Sequence, residues 1–394
     1  MKKLFLPAEA LMNRLSYPIK FGLLGLLVTA IFASLMLSLA GQLNRTIERS
    51  ENELVASSLS RPMAKLVELV QQHRGMSSML LGGNSALATR RSERETDIEA
   101  ALALLERTLA EDKRALPQWQ GVGQAWDEIR RDGLSWPQSR NFQAHTALIG
   151  KLLSFQTQLA DAYGLTFDPE AETFYLMSAA LNHMPSLIER IGQLRGSGAA
   201  ALAQGNVDDQ RRTALIVLSE QIKTATGNMR DSLDKVVALR PELRTRLTEA
   251  VTAMDERGQN IERVMHALVF EGDFTSTTSV QFFDMATEAI GIGYSQMHDV
   301  LLPTLDQLLH QRIADARQVL YLNLAVLAGV LAVIGYLSVG AYLSVMTSIR
   351  SLREGSEKLA AGDLTTHIQL TARDELRYVA GSFNDMADAM RPLT

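Results

Sequence analysis

The 394-residue chain contains no cysteine, so neither a disulfide framework nor thiolate chemistry is open to it. It has only 10 prolines and 6% aromatic residues, and this scarcity, beside abundant Ala, Leu, Glu and Gln, leaves helix as the default. The strings that carry common chemistries are missing too. There is no H-E-x-x-H, no G-x-x-x-x-G-K-[ST] and no G-x-S-x-G, and Gly291-Ile292-Gly293 lacks the third glycine and the preceding strand of a dinucleotide site. No two of the 7 histidines stand at the i,i+4 spacing that begins a metal site. An enzyme, a bound cofactor and a resident metal are therefore not expected. No basic face is clustered as nucleic acid requires.

What is present is apolar sequence in two runs. Phe21–Ala40 holds 20 uncharged residues and Gln318–Ile349 holds 32, each long enough to cross a hydrocarbon core of roughly 30 Å as a helix. Lys2, Lys3, Arg14 and Lys20 outweigh Glu9 ahead of the first run, which places the N-terminus in the cytoplasm. The first run exceeds a signal-peptide core and shows no small-residue cleavage pattern, so it is read as an uncleaved anchor. The expected organisation is a cytoplasmic N-terminus (1–20), a first span (21–40), an exported, mildly acidic segment (41–318), a second span (319–345) and a cytoplasmic tail (346–394). The fold class is all-α, a membrane protein with two transmembrane helices.

The exported segment reads as helices separated by turn clusters. The first is expected to run to about Leu81 and stop at Gly82-Gly83-Asn84. Helices are then expected over about 85–114, 142–163, 208–239 and 241–270. Pro117, Gly121, Gly123, Gly133 and Pro137 leave room between them for no more than a short helix over 124–131. Asp168 and Pro169 supply an N-cap and a first-turn proline for a helix running to Gly205 and bent at Pro185. That many helices pack most naturally as two stacked or fused four-helix bundles. Trp119, Trp126 and Trp136 read as a small satellite core.

Sliding the chain against itself by 121 residues exposes a repeat. Met63, Leu66, Glu68, Gln72, Arg74, Gly75, Leu81, Arg90 and Arg91 fall on Met184, Leu187, Glu189, Gln193, Arg195, Gly196, Leu202, Arg211 and Arg212. Arg74 continues the apolar seam of Met63, Val67 and Val70 toward Ser77, and Arg195 continues that of Met184, Ile188 and Ile191. Each arginine thus stands where periodicity calls for an apolar side chain. Two readings stay open, an internal ion pair and a pair of bidentate donors to a small anion. On the second, Arg74, Arg195, Gly75, Gly196 and Ser77 are the candidate ligand-binding residues, the glycines allowing close helix approach.

The tail carries the most specific signal. Val345, Ile349, Leu352, Ser356 and Leu359, then Leu376, Val379, Phe383, Met386 and Met390, keep the 3-4 spacing of coiled-coil seams, with Gly362-Asp363-Leu364 between and Asp374-Glu375 opening the second. This pattern, directly after a span, resembles a HAMP domain, the signal-relay module of bacterial transmembrane receptors, although Ser348 and Arg377 stand where a proline and a glycine are common. In the exported segment, Gln72-His73-Arg74-Gly75-Met76-Ser77, the run Phe167–Met177 and Gln193-Leu194-Arg195-Gly196 look like the periplasmic halves of methyl-accepting chemotaxis proteins. The Arg-Gly-x-Ser string is similar to the nitrate- and nitrite-sensing type of helical domain, in which arginines hold the anion.

These resemblances imply an inner-membrane, multi-pass chemoreceptor-type sensor. It would form a homodimer, sense a small molecule directly or through a periplasmic binding protein, and signal through HAMP to a cytoplasmic kinase complex. The same input half is also found on diguanylate cyclases and histidine kinases, and the residues up to Thr394 do not separate these outputs. A structural or adhesive role leaves the HAMP-like tail without a purpose. The topology is directly testable: a reporter fused at position 150 should report from outside the cytoplasm and one at 394 from inside, and a cytoplasmic signal at 150 would reject the account.

Overall fold

The computed structural model describes residues 2–114 and 116–390. Nearly all of them are helical, and no strand occurs among the described residues. The chain divides into two compact units, Thr46–Asp315 and the combination of Met1–Arg45 with Ala316–Thr394.

Two four-helix bundles make up the 46–315 unit. The first joins the later part of α2 (Tyr17–Leu81) to α3 (Ala88–Thr108), α5 (Pro117–Asp132) and α6 (Gln138–Ala162), with the one-turn α4 (Glu111–Arg114) between α3 and α5. Its core holds Leu59, Met63, Leu66 and Val70 of α2 against Ile98, Leu105, Trp126, Leu148, Leu152 and Phe155. The helical stretch before Gln138 is longer than expected. Pro117 occupies the first turn of α5, and Trp119, Val122, Trp126 and Ile129 recur on its buried face, so packing outweighs the weak propensity of Gly121 and Gly123. The three tryptophans, read from the sequence as a small satellite core, belong instead to this bundle's main core.

The second bundle closes as a ring in which α8 (Met184–Gln204) packs on α9 (Asp209–Leu239) and α11 (Ser279–Ser295), and α10 (Arg244–His266) packs on the same two. Gly198 fixes the α8–α11 approach, since a Cβ there would lie 2.5 Å from the Phe282 ring. Asp208 caps α9 by accepting from the Arg211 amide at 2.7 Å, and Thr278 with Gln281 forms a capping box on α11. The proline expected to bend α8 is met differently. The short α7 (Ala171–Met177) leads into a π-helical segment, Ser178–His183, that ends two residues before Pro185, and another, Gln296–Leu301, ends two residues before Pro303 of α12 (Leu302–Ala360). A proline cannot donate to the preceding turn, and a wide turn absorbs the missing bond.

Asp168 is not the N-cap of the helix that follows it. Its carboxylate accepts from the Glu170 amide at 2.8 Å and from Arg312 Nη2 at 3.0 Å through both oxygens, and the helix starts at Ala171. Arg312 also reaches Glu53 at 3.0 Å and Glu170 at 3.0 Å, so one buried guanidinium of α12 gathers three carboxylates, one from α2 and two from the turn joining the bundles. Burial, with Asp168 beside it, raises the Glu53 carboxyl to about 7.

The other unit contains α1 (Lys2–Asn13), the early part of α2, the later part of α12 and α13 (Leu376–Met390). Two helical stretches, Ile19–Leu81 and Ser279–Ala360, are long and apolar enough to cross a membrane. In the tail, Gly362 takes φ of 92°, and Asp363 accepts from the Thr365 amide and hydroxyl and from Thr366, forming a tight turn after α12. Ile368 packs into the space left by Gly355, and the Asn384 amide brackets the Ile368 backbone at 2.8 and 3.0 Å. Val379, Met386 and Met390, three of the five expected seam residues of α13, stay exposed in the single chain.

A buried pair of histidines crosses the first bundle. His145 Nδ1 lies 2.8 Å from the Asn141 carbonyl, which can only accept, so His145 carries its proton there and accepts at Nε2 from His73 Nδ1 at 2.8 Å. Burial, His145 and Arg91 lower His73 to about 2, and burial with Arg74 and Arg91 nearby lowers His145 to about 4 despite the bond to Asn141. Both are neutral when folded, whereas the unfolded chain protonates them below their ordinary value of 6.5. Their contribution to stability is therefore complete above about pH 7 and lost as pH falls. The unfolding free energy of the full chain, from denaturant titration, should fall more steeply in wild type than in His73→Gln between about pH 6.5 and 5, by up to roughly 1.4 kcal/mol per pH unit. Equal slopes would reject this assignment.

Candidate functional site

Arg74 and Arg195 come together between the two bundles, 1% and 8% exposed. They do so because the repeated helices α2 and α8 present matching faces, and Gly75, Gly192 and Gly196 leave room there. A Cβ on Gly75 would lie 3.7 Å from Arg195 Nη2, one on Gly192 3.0 Å from Arg74 Nη2, and one on Gly196 3.0 Å from the Phe142 ring. The two guanidiniums lie at the wall of a cavity of about 470 Å³, lined also by Ser78, Gln138, Phe283 and Asp284.

Each guanidinium sits in the same cradle. The Arg74 guanidinium stacks 4.8 Å from the Phe142 ring and Nη1 donates to Thr146 Oγ1 at 2.8 Å; Arg195 stacks 4.8 Å from Phe283 and Nη1 donates to Thr287 Oγ1 at 2.9 Å. Gln72 bonds Glu68 at 2.9 Å and Gln193 bonds Glu189 at 2.8 Å, a further pair of equivalents. Carboxylates break the symmetry. Arg74 is held by Glu189 in a two-pronged ion pair at 2.6 and 3.1 Å, while Arg195 has no ion pair among the described residues. Burial first, then Arg74, lowers Arg195 to about 10, which leaves it charged at neutral pH and in want of a counter-charge. The internal ion pair and the free donor, alternatives for either arginine in the sequence, thus occur one on each.

Of the five candidate residues, Arg74, Gly75, Arg195 and Gly196 line the cavity. Ser77 faces the first bundle, where its Oγ accepts from Arg91 Nε at 2.8 Å; Ser78 takes the place on the cavity side. Sequence reasoning missed Phe142, Thr146, Phe283 and Thr287. Their signal is the string F-x-x-x-T, present at 142–146 and 283–287 but displaced by 141 residues, so a single offset of 121 does not register it. A groove of about 340 Å³ between α9 and α10 carries Lys223 and Arg230, but both are exposed and Arg230 is paired with Asp255.

The chain thus combines a double four-helix bundle, two buried arginines at a cavity wall, apolar helices and a two-helix tail. The family described as nitrate and nitrite sensing matches residues 65–309, more than half of the chain, and the chain belongs to that family. The HAMP domain family matches residues 341–391. With two candidate membrane helices beside them, these domains make the chain a transmembrane sensor that relays a signal, and neither domain is catalytic. One solved structure, described as the structure of the NasR transcription antiterminator, aligns at 16% identity over 93% of this chain and 98% of that one, with a TM-score of 0.42. No curated protein matches.

Proposed function

We propose that this sensor binds a small inorganic anion of the nitrate class directly, between Arg74 and Arg195, in the periplasm of a bacterium. The observation that carries the reading is Arg195, a buried guanidinium at a cavity wall that forms no ion pair among the described residues. A planar oxyanion supplies the missing charge and matches the fork of guanidinium donors, and the Phe283 ring behind it holds the fork in place. An anion that fits this cavity needs no intermediary binding protein. In the proposed topology residues 41–318 are exported, 21–40 and 319–345 span the inner membrane, and 346–394 form the cytoplasmic HAMP relay of a homodimer. The output is a chemoreceptor-type kinase complex, on the resemblance of the helical segments around Arg74, Arg195 and the run Phe167–Met177.

Calorimetric titration of the full chain in lipid nanodiscs with sodium nitrate tests the binding step. Arg195→Lys keeps the charge but loses the fork, and should weaken nitrate on the order of tenfold with helicity unchanged; wild-type affinity in both Arg195→Lys and Arg74→Lys would move the site elsewhere. The exposed α13 seam tests the relay. Cysteine at Ile349 or Phe383 should cross-link between chains in membranes, and absence of cross-linking at every seam position would reject a HAMP dimer.

A further inference from the structure

The cavity is far larger than any three- or four-oxygen anion, so its volume cannot choose among them. Charge can. The two arginine cradles match in their phenylalanine and threonine contacts, and differ in one ion-paired carboxylate. Glu189 is buried and accepts four N–H bonds, from Arg74 Nη1 and Gln193 at one oxygen and from Arg74 Nη2 and Gln71 at the other. Gln71 is itself fixed by the buried Tyr294 hydroxyl at 3.0 Å. An acceptor with every position filled by donors is a permanent part of the site. The pseudo-equivalent Glu68 is turned away to Lys65 at 2.8 Å and does not serve Arg195.

We infer that Glu189 sets the charge selectivity of the site: by cancelling one of two buried guanidiniums it leaves a single positive charge, so the site takes a monovalent anion and rejects a divalent one such as sulfate. The inference rests on the anion reading above. Arg74, Arg195 and Glu189 are themselves buried, so their charges are weakly screened and the second charge of sulfate is repelled by Glu189. Asp284 at the lining is exposed, and its charge is screened. Glu189 therefore acts as a resident anion occupying one of two equivalent arms, and the ligand takes the other.

The test compares sodium nitrate with sodium sulfate, at constant ionic strength, by calorimetry on the full chain in nanodiscs. Wild type should prefer nitrate on the order of tenfold or more, and Glu189→Gln should gain sulfate affinity and lose that preference. Thr287 is exposed, so a second variant perturbs charge without disturbing the core. Thr287→Glu places a carboxylate on Arg195 and should weaken nitrate on the order of tenfold or more, whereas Thr287→Gln, of the same size, should stay within about threefold of wild type. If Glu189→Gln does not fold by circular dichroism, the Thr287 pair decides. Equal binding of both anions by wild type, an unchanged preference in folded Glu189→Gln, or wild-type nitrate affinity in Thr287→Glu overturns the inference. Binding of neither anion by wild type overturns the anion reading itself.

Discussion

A guanidinium placed inside a helix bundle must be answered by charge or by hydrogen bonds, and among the described residues four are buried: Arg74, Arg91, Arg195 and Arg312. With no cysteine available, the answers serve as the cross-ties of the domain. Arg91 binds α3 to α2 through Ser77 and to its own helix through Glu95. Arg312 draws α12, α2 and the 168–173 turn together through Glu53, Asp168 and Glu170. Arg74 ties the first bundle to the second through Glu189. Removing one partner of such a buried pair typically costs about 3–5 kcal/mol, because the other is left charged and dry. The ties therefore fix which helices lie together, and of these four buried guanidiniums Arg195 is the one left without an ion pair among the described residues.

The sequence made much of this legible and concealed the rest for identifiable reasons. Arg74 and Arg195 betray themselves because a charge interrupts an apolar seam twice at one spacing, and the glycines beside them follow from the same register. Helix ends at Gly82-Gly83 and Asp208 are local chemistry, so they can be read locally. What a pattern cannot carry is partnership across the fold. Glu189 was visible as a repeated residue, yet nothing in the chain says that it reaches Arg74, 115 positions away, while Glu68 turns to Lys65. The helix over Pro117–Asp132 was underestimated because two glycines weigh against it locally, and only burial of Trp119, Trp126 and Ile129 outweighs them. Asp168 looked like a cap because it precedes a proline; a buried arginine 144 positions away claims its carboxylate instead.

The broken symmetry also bears on how binding becomes a signal. A ligand shifts an equilibrium only by the difference in its affinity for two states, so the groups it touches must belong to elements that can move relative to one another. The Arg195 cradle is built from α8 on one side and from Phe283 and Thr287 of α11 on the other. Of these, α11 continues through the π segment Gln296–Leu301 into α12, whose Arg312 holds the three-carboxylate cluster. A π turn is a place where a helix already departs from its regular register, so little is lost by changing it further. In the proposed site, an anion on Arg195 changes the force between α8 and α11, at a point on the helix that leads to α12. Glu189, on α8 and bonded to α2, holds the opposite wall fixed while this happens. One arm of the repeat is thus locked by its own carboxylate, and in the proposed site the other is the arm the ligand takes, which is the asymmetry that a sensor built from two similar halves needs.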